Sequence, residues 1–274
     1  MSDIKCAGCG KINHLTFDKK VNMMSCSKCN CLFAEKQDSQ KNHFFKKRKI
    51  VRTFPETIKN KLTHELFYNI IDDSYIDYLK LKTKMDFKNA FDIGSRFGGF
   101  VKKLNKYGID SYGIESDDEL SKFADRNKIE WGYFDENYKS DKKYDLICLT
   151  QILYYLPDSY SILNHAKNML TDDGGIFIAT LNPQSPIMYG KESPLPNKTM
   201  NVLLSKQNFE SLNDKGLELI DYTEYATPLY RDLYTEKNST TKKFKILQYA
   251  LKLKKPYLRE PDGEHAFILL KKSS

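Results

Sequence analysis

The chain has 274 residues, of which 40% are hydrophobic, 13% aromatic and 29% charged. This apolar content is enough for a sizeable core, so it excludes a chain that is disordered throughout. The net charge is +8, and all of the excess lies in residues 1–60, which hold 13 Lys or Arg and 5 Asp or Glu. The other 214 residues hold 31 of each, so a basic N-terminal segment precedes a neutral remainder.

The N-terminus, MSDIKCAGCG, has no apolar core of the kind found in secretory signals, and the longest apolar runs are too short to span a bilayer. The sequence therefore predicts a soluble, cytoplasmic protein without a transmembrane segment. Cytoplasmic cysteines rarely form a disulfide framework. Five of the six cysteines lie within the first 31 residues, and this clustering indicates metal binding.

Cys6 and Cys9 form one Cys-x-x-Cys pair, and Cys26 and Cys29 form a second pair after a gap of sixteen residues. This spacing is typical of a zinc ribbon, in which four thiolates surround one tetrahedral ion. A closed four-sulfur site has no open coordination position, so the predicted zinc is structural. The alternative is four reduced cysteines without a metal. Cys31 is a surplus thiol, either structural or a substitute ligand.

The first 87 residues divide into three predicted parts. Residues 1–35 form the zinc ribbon, residues 36–54 a basic connector, and residues 55–87 a helical extension. Pro55 suits a first helical turn, and apolar residues then recur at three- or four-residue spacing. A second helical segment is predicted over residues 75–85.

Residues 88–274 alternate short apolar runs with amphipathic segments, which predicts a parallel sheet covered by helices on both faces. Strands are predicted over residues 90–93, 111–114, 144–149, 175–181, 217–225 and 265–270, and helices over residues 100–107, 119–126, 160–170 and 206–213. Residues 226–262 exceed a normal connection and are predicted to be an insertion. The insertion contains a basic amphipathic stretch, residues 242–255. This stretch is expected to pack on the sheet as a helix, cap the acceptor pocket, form a dimer face or touch a membrane surface.

Residues 91–100, FDIGSRFGGF, form a predicted strand that enters a glycine-containing turn and then a helix. Glycines there let the main chain approach a ligand at the carboxyl end of the strand. The next strand ends at Glu115, whose carboxylate can accept hydrogen bonds from both hydroxyls of a ribose. A dinucleotide and S-adenosylmethionine both fit this arrangement. Arg96 stands where dinucleotide binding requires a glycine, which disfavours a nicotinamide cofactor.

Residues 92–98 resemble the first motif of class I S-adenosylmethionine-dependent methyltransferases, acid-x-Gly-x-Gly-x-Gly. Residues 143–158 are similar to the fourth strand and following turn of that family, and residues 170–178 to its turn into the fifth strand. The resemblance covers about residues 88–225. It implies a methyltransferase with a Rossmann-like, seven-stranded, mostly parallel sheet, here preceded by the zinc ribbon.

The resemblance also implies which residues bind S-adenosyl-L-methionine. These are Asp92, Gly94, Ser95, Arg96, Phe97, Gly98, Glu115, Phe134, Asp135, Thr150 and Gln151. Asp135 would face the adenine amine, and the Arg96 side chain would point outward or contact the cofactor carboxylate. Gln151 and Tyr155 are the predicted catalytic residues. Tyr155 stands where many relatives have histidine, so the resemblance does not support proton transfer by histidine at that position.

Two acceptor classes follow from these patterns. The order of ribbon, helical connector and methyltransferase domain resembles enzymes of surface-polysaccharide and sugar modification, which implies a small-molecule, glycan or nucleotide-sugar acceptor. Alternatively, the basic ribbon docks RNA through counterion release. The ribbon has no Arg and few aromatic residues for stacking, so we favour the first class. A degenerate domain that only binds partners is a third alternative, because of Arg96. The sequence carries no signal for an oligomeric state.

Overall fold

The computed structural model describes residues 4–12, 14–35, 54–117, 120, 123–156, 158–189, 200–229 and 239–273. Two sheets dominate this part of the chain. The larger sheet has eight strands in the order β11-β10-β12-β8-β7-β4-β5-β6. Its strands are β4 (Asn89–Ile93), β5 (Asp110–Glu115), β6 (Ile129–Trp131), β7 (Tyr144–Thr150), β8 (Leu170–Leu181), β10 (Leu217–Ala226), β11 (Leu258–Arg259) and β12 (His265–Lys272).

Strands β4 to β8 are parallel, and β12 lies antiparallel between β8 and β10. The predicted mostly parallel α/β sheet is therefore confirmed, with the two-residue β11 added at one edge. The central strands β7 and β8 consist largely of continuous apolar runs because helices cover both of their faces.

Five helices are described: α1 (Phe54–Lys82), α2 (Gly99–Lys106), α3 (Ser159–Asn168), α4 (Lys206–Glu210) and α5 (Ser239–Ala250). The two helical segments expected before β4 are one continuous helix, α1, because residues 70–75 contain no proline or glycine to end it. Buried residues such as Ile71, Tyr75 and Leu79 recur at four-residue spacing along α1. They join the apolar cluster on one face of the large sheet.

Two helix predictions differ from the structure. Of the helix expected over residues 119–126, residues 119, 121 and 122 lie outside the described residues, and residues 123–126 lie in turns and irregular structure. Helix α4 is shorter than expected because residues 213–215 form a separate 3₁₀ turn that ends at Gly216 in a left-handed conformation.

The smaller sheet contains the cysteine segment. Its antiparallel strands β1 (Leu15–Asp18), β2 (Met23–Cys26) and β3 (Leu32–Phe33) are followed at the edge by β9 (Val202–Leu203). Strand β9 comes from the connection between β8 and α4, so this sheet joins two distant parts of the chain. Cys26 and Phe33 belong to the same buried cluster as Ile93 and Leu149 of the large sheet. The cysteine segment therefore packs into the main apolar core.

The predicted basic connector, residues 36–54, lies outside the described residues except for its last residue. Among the described helices, none has both the length and the apolar composition that crossing a bilayer requires. The cytoplasmic location stays a prediction.

Candidate active site and cysteine cluster

The turn after β4 has an unusual backbone. Gly94, Arg96 and Gly98 have φ angles of 76°, 56° and 75°. The left-handed region is readily adopted by glycine but costs other residues about 1–2 kcal/mol. Arg96 therefore needs contacts that hold it in this conformation.

Those contacts come from α1. The Arg96 guanidinium carbon lies 3.6 Å from the centre of the Tyr68 ring, and Nη2 lies 3.5 Å from Oδ1 of Asp72. Burial raises the pKa of Asp72 to about 6, although the charge of Arg96 opposes this shift. The Arg96 side chain is only 17% exposed and packs against α1, so the first of the two expected orientations, pointing outward, is not the one observed.

Glu115 accepts two main-chain hydrogen bonds. Its Oε2 accepts from the N–H of Arg96 at 2.7 Å, and Oε1 accepts from the N–H of Asp117 at 2.8 Å. Burial raises the pKa of Glu115, and these hydrogen bonds oppose that effect. An ionised carboxylate offers about four lone-pair positions, so Glu115 retains acceptor capacity for a ligand hydroxyl.

Three side chains near the carboxyl ends of β4 and β7 have buried oxygens without a hydrogen-bond partner among the described residues. The unpartnered oxygens are Oδ1 and Oδ2 of Asp92, Oγ of Ser95 and Oγ1 of Thr150. Burial without a partner is costly for such groups, so each of these oxygens is suited to a ligand that supplies donors. The pKa of Asp92 is raised well above its usual value by burial.

The remaining predicted cofactor residues have other contacts. The Phe134 ring is buried against Phe91, Tyr138 and His165. Asp135 accepts a hydrogen bond from the N–H of Asn137 and so stabilises the turn after β6. Neither contact joins Phe134 or Asp135 to Glu115.

A cavity of about 650 Å³ opens on the helical side of the β4 turn. It lies between α1 and α2, and its lining includes Tyr68, Arg96, Phe97 and Gly98. Glu115 and Thr150 do not line it. The cavity therefore borders the predicted cofactor turn without containing the whole predicted site.

Gln151, directly after β7, is held by two side chains. Its Oε1 accepts from the hydroxyl of Tyr154 at 3.0 Å, and its Nε2 lies 3.0 Å from Nδ1 of His265. Because Oε1 accepts, Nε2 is the donor, so Nδ1 of His265 accepts and its proton resides on Nε2. Gln151 itself has a φ of 58°, which places it in the left-handed region.

His265 was missed by the sequence analysis. It is the first residue of β12 and is 114 residues from Gln151 along the chain, so only the sheet order brings the two together. Burial lowers the pKa of His265 to about 4, against the opposing charge of Glu264, so the imidazole is neutral near pH 7. The buried Tyr257 packs edge-on against the imidazole, with 5.4 Å between ring centres.

Tyr155 has the contacts of a packing residue. Its ring lies 4.5 Å from that of Tyr154, and its carbonyl accepts from Nδ2 of Asn201. The main-chain N–H of Asn201 donates to the carbonyl of Tyr154, and the carbonyl of Asn201 accepts from the N–H of Ala34 after β3. These bonds link the cysteine segment to the turn that carries Tyr154. A catalytic role for Tyr155 stays a prediction.

The four predicted metal ligands lie together. The Sγ atoms of Cys6, Cys9, Cys26 and Cys29 are all within 4.8 Å of one another. The Cys6–Cys29 and Cys9–Cys26 sulfur distances are 3.6 Å and 3.8 Å. Zn–S bonds of about 2.3 Å in a tetrahedron require sulfurs about 3.8 Å apart, so this donor set fits zinc.

Cys31 is a fifth sulfur at the same place. Its Sγ is 3.3 Å from that of Cys6 and 3.5 Å from that of Cys29, and the residue is fully buried. A Cβ on Gly8 would lie 2.8 Å from Cys31 Sγ and 2.7 Å from Nδ2 of Asn208 in α4. Glycine at position 8 therefore lets α4 close over the sulfurs.

Two hydrogen bonds fasten this cluster to neighbouring helices. The Tyr160 hydroxyl in α3 donates to the carbonyl of Gly8, and the Ser205 hydroxyl before α4 donates to the carbonyl of Cys29. The cysteine cluster is thus held against α3 and α4.

No functionally curated protein matches this chain in sequence. A model of the methyltransferase domain family matches residues 49–222. The solved structure of the plantazolicin methyltransferase BpumL with SAH is 18% identical, with a TM-score of 0.53 over 86% of this chain and 93% of that chain. A SAM-dependent methyltransferase from Archaeoglobus fulgidus is 15% identical, with a TM-score of 0.52 over 80% of this chain and 100% of that chain. The chain therefore belongs to the methyltransferase domain family and has its class I fold.

Proposed function

We propose that this protein transfers a methyl group from S-adenosylmethionine. The observation that carries the proposal is the set of buried, unpartnered oxygens on Asp92, Ser95 and Thr150 beside the Glu115 carboxylate. The family match supports the proposal, as does the bound SAH in the structural neighbour BpumL.

The side chains present fit the cofactor as follows. Glu115 would accept the ribose hydroxyls, and the Asp92 carboxylate would accept from the methionyl amine across the turn of Gly94 and Ser95. Thr150 and Gln151 would lie beside the sulfonium. Phe97 and Gly98 would border the cofactor on the α2 side, and Phe134 and Asp135 the adenine. Bound S-adenosylmethionine supplies the electrophilic methyl group.

Methyl transfer is an in-line displacement, so fixed positioning supplies much of the catalysis. Gln151 is well suited to this, because Tyr154 and His265 fix both ends of its amide. His265 uses the lone pair on Nδ1 to accept from Gln151. We therefore assign His265 as a positioning residue and not as a general base.

For the acceptor we propose a small molecule or glycan. The side chains that contact Gln151 are Tyr154 and His265, and the Tyr257 ring packs against His265, so aromatic groups are available to an apolar or sugar acceptor. BpumL, a methyltransferase of the same fold, was solved with a monoazolic desmethylPZN analog and SAH. Hydrogen bonds join the cysteine cluster to Tyr160 in α3 and to Ser205 before α4, which supports a fixed part of the domain more than a separate arm for RNA.

We also propose that Cys6, Cys9, Cys26 and Cys29 hold one structural zinc ion. The β1–β3 segment is too small to bury a core of its own, so metal binding would add to the folding free energy that the segment gains by packing into the main core. Through β3 the metal would also order Asn201 and hence the main chain at Tyr154.

Calorimetric titration with SAH tests the proposed cofactor site. Glu115→Gln removes the charge that attracts the ribose hydroxyls, and hydrogen bonds to charged groups contribute about 1.5–3 kcal/mol, so the affinity is expected to fall by about 10- to 100-fold. Glu218→Gln is the matched control, because Glu218 is exposed at the far end of β10. Equal SAH affinity in the two variants would overturn the role of Glu115.

A further inference from the structure

The insertion before β12 contains a long purely basic segment. Between Glu236 and Glu260 there are eight Lys or Arg residues and no acidic residue. The methyltransferase site uses none of these cations. The structure describes residues 239–259 of this segment, which include α5.

Helix α5 has two apolar faces. Tyr249 is buried, and Ile246 and Ala250 pack beside it in the core cluster that contains Tyr75. On the other side, Phe244 and Leu247 are 60% and 50% exposed, and a helix can bury only one such face against its own domain.

The exposed face continues past the end of α5. Leu251 is 60% exposed and shares a stripe with Phe244 and Leu247 through spacings of three and four residues, and Leu253 is 72% exposed. Lys252, Lys254 and Lys255 are exposed among these leucines. We call Phe244, Leu247, Leu251 and Leu253, with these three lysines, the α5 patch.

The α5 patch lies in the connection between two neighbouring strands of the large sheet. The insertion leaves the sheet at Ala226, the end of β10, pairs with β10 again through β11, and reaches β12 at His265. His265 contacts Gln151 at the carboxyl end of β7.

We propose that the α5 patch docks the protein on an anionic phospholipid surface. Stable peripheral binding requires two signals, and the patch has both: apolar side chains that enter the interface and lysines that contact headgroups. At 12 residues, α5 is too short to cross a bilayer, so it would lie in the plane of the interface. This inference goes beyond methyl transfer and does not depend on it.

A nucleic acid fits the patch less well. Nucleic-acid grooves pair cations with aromatic side chains that stack on bases, whereas three of the four large apolar side chains here are leucines. Lys252 lies 3.6 Å from Asp73, and Lys254 lies 5.7 Å from the centre of the Tyr249 ring. All three lysines of the patch are nevertheless exposed to solvent, so they can reach an anionic surface.

Co-sedimentation of the full chain with phosphatidylcholine vesicles, with and without phosphatidylglycerol, tests the proposal. Partitioning is expected to be at least about tenfold stronger with the anionic lipid, and each lysine replaced by Gln should weaken it by about fivefold. Leu251→Glu/Leu253→Glu should abolish binding. Ile220→Glu, which changes an exposed residue of β10 outside the patch, should leave binding unchanged.

A fluorescence measurement locates the contact. Trp131, the single tryptophan, is exposed on the edge strand β6, far from β11 in the strand order. In the Trp131→Phe/Leu251→Trp variant, anionic vesicles should shift the emission to shorter wavelength, whereas the wild-type emission should not change.

Three results would overturn the proposal: equal binding to neutral vesicles, vesicle binding that Leu251→Glu/Leu253→Glu does not weaken, or salt-dependent RNA binding without vesicle binding. Titration of the Leu251→Glu/Leu253→Glu variant with SAH shows whether the cofactor site is intact, independently of vesicle binding. Unchanged SAH affinity, together with lost vesicle binding, would assign the loss to the patch.

Discussion

The main-chain N–H of Arg96 donates a 2.7 Å hydrogen bond to the Glu115 carboxylate. The residue that departs from the methyltransferase motif is thus bonded directly to the proposed ribose acid. Arg96 makes this bond from a left-handed backbone conformation, which a glycine would adopt at lower cost. Contacts of the Arg96 side chain with Tyr68 and Asp72 on α1 compensate for that cost.

Arg96→Gly is expected to destabilise the protein although it restores the family motif. The substitution relieves about 1 kcal/mol of backbone strain but leaves Asp72 buried without its cation, which costs about 3–5 kcal/mol. Urea unfolding should show a net loss of about 2–4 kcal/mol. Adding Asp72→Asn should recover part of this loss. If the Arg96→Gly protein were more stable than wild type, the contacts of Arg96 with α1 would not compensate for the backbone strain at this position.

Asp72 should make stability depend on pH. Its pKa is about 6 in the folded protein and about 4 when unfolded, so the folded state binds more protons between these values. Raising the pH from about 4 to about 7 should therefore destabilise wild type relative to Asp72→Asn, by up to about 3 kcal/mol, with no further change at higher pH. Parallel unfolding curves for the two proteins across this range would contradict the burial of an ionisable Asp72.

The cysteine cluster should hold about one zinc ion per chain. Elemental analysis of protein prepared without chelator is expected to find it in wild type and in Cys31→Ser, and not in Cys26→Ser. These variants are matched, because both positions are fully buried cysteines in the same cluster. If Cys31→Ser lost zinc and Cys26→Ser retained it, Cys31 would be the metal ligand and Cys26 the surplus thiol.

Metal removal should loosen the turn that carries Tyr154. The N–H of Asn201 donates to the carbonyl of Tyr154, and Asn201 is joined to β3 through Ala34. Hydrogen exchange of peptides spanning residues 200–204 is expected to accelerate at least about tenfold after chelation. Peptides spanning β4, in the centre of the large sheet, serve as the internal control. If hydrogen exchange at residues 200–204 did not change after chelation, metal binding would not stabilise the turn that carries Tyr154.

Strands of the large sheet were predictable because their burial leaves a clear pattern. Residues 146–149 form a continuous apolar run, and β7 spans Tyr144–Thr150. Periodicity alone could not join the two segments of α1, since continuity depends on packing against the sheet and on the absence of a breaker. Strand β9 has only two residues, so its pairing with β3 leaves no pattern in the sequence.

Within the candidate site, short motifs identified the residues that are close together in the chain, such as Asp92, Ser95 and Arg96. His265 could not be identified in this way, because it reaches Gln151 only through the order β12-β8-β7. The contacts of Arg96 with Tyr68 and Asp72 on α1 could not be predicted from the sequence either. No motif links residues 68 and 72 to the turn after β4.

Calorimetric titration of the wild-type protein with SAH, and separately with NAD⁺, decides which cofactor the turn after β4 binds. We expect one SAH bound per chain and no binding of NAD⁺, because the turn at Arg96 lacks the glycine that pyrophosphate requires. Binding of NAD⁺ without SAH, or of neither ligand, would contradict the proposed methyltransferase site.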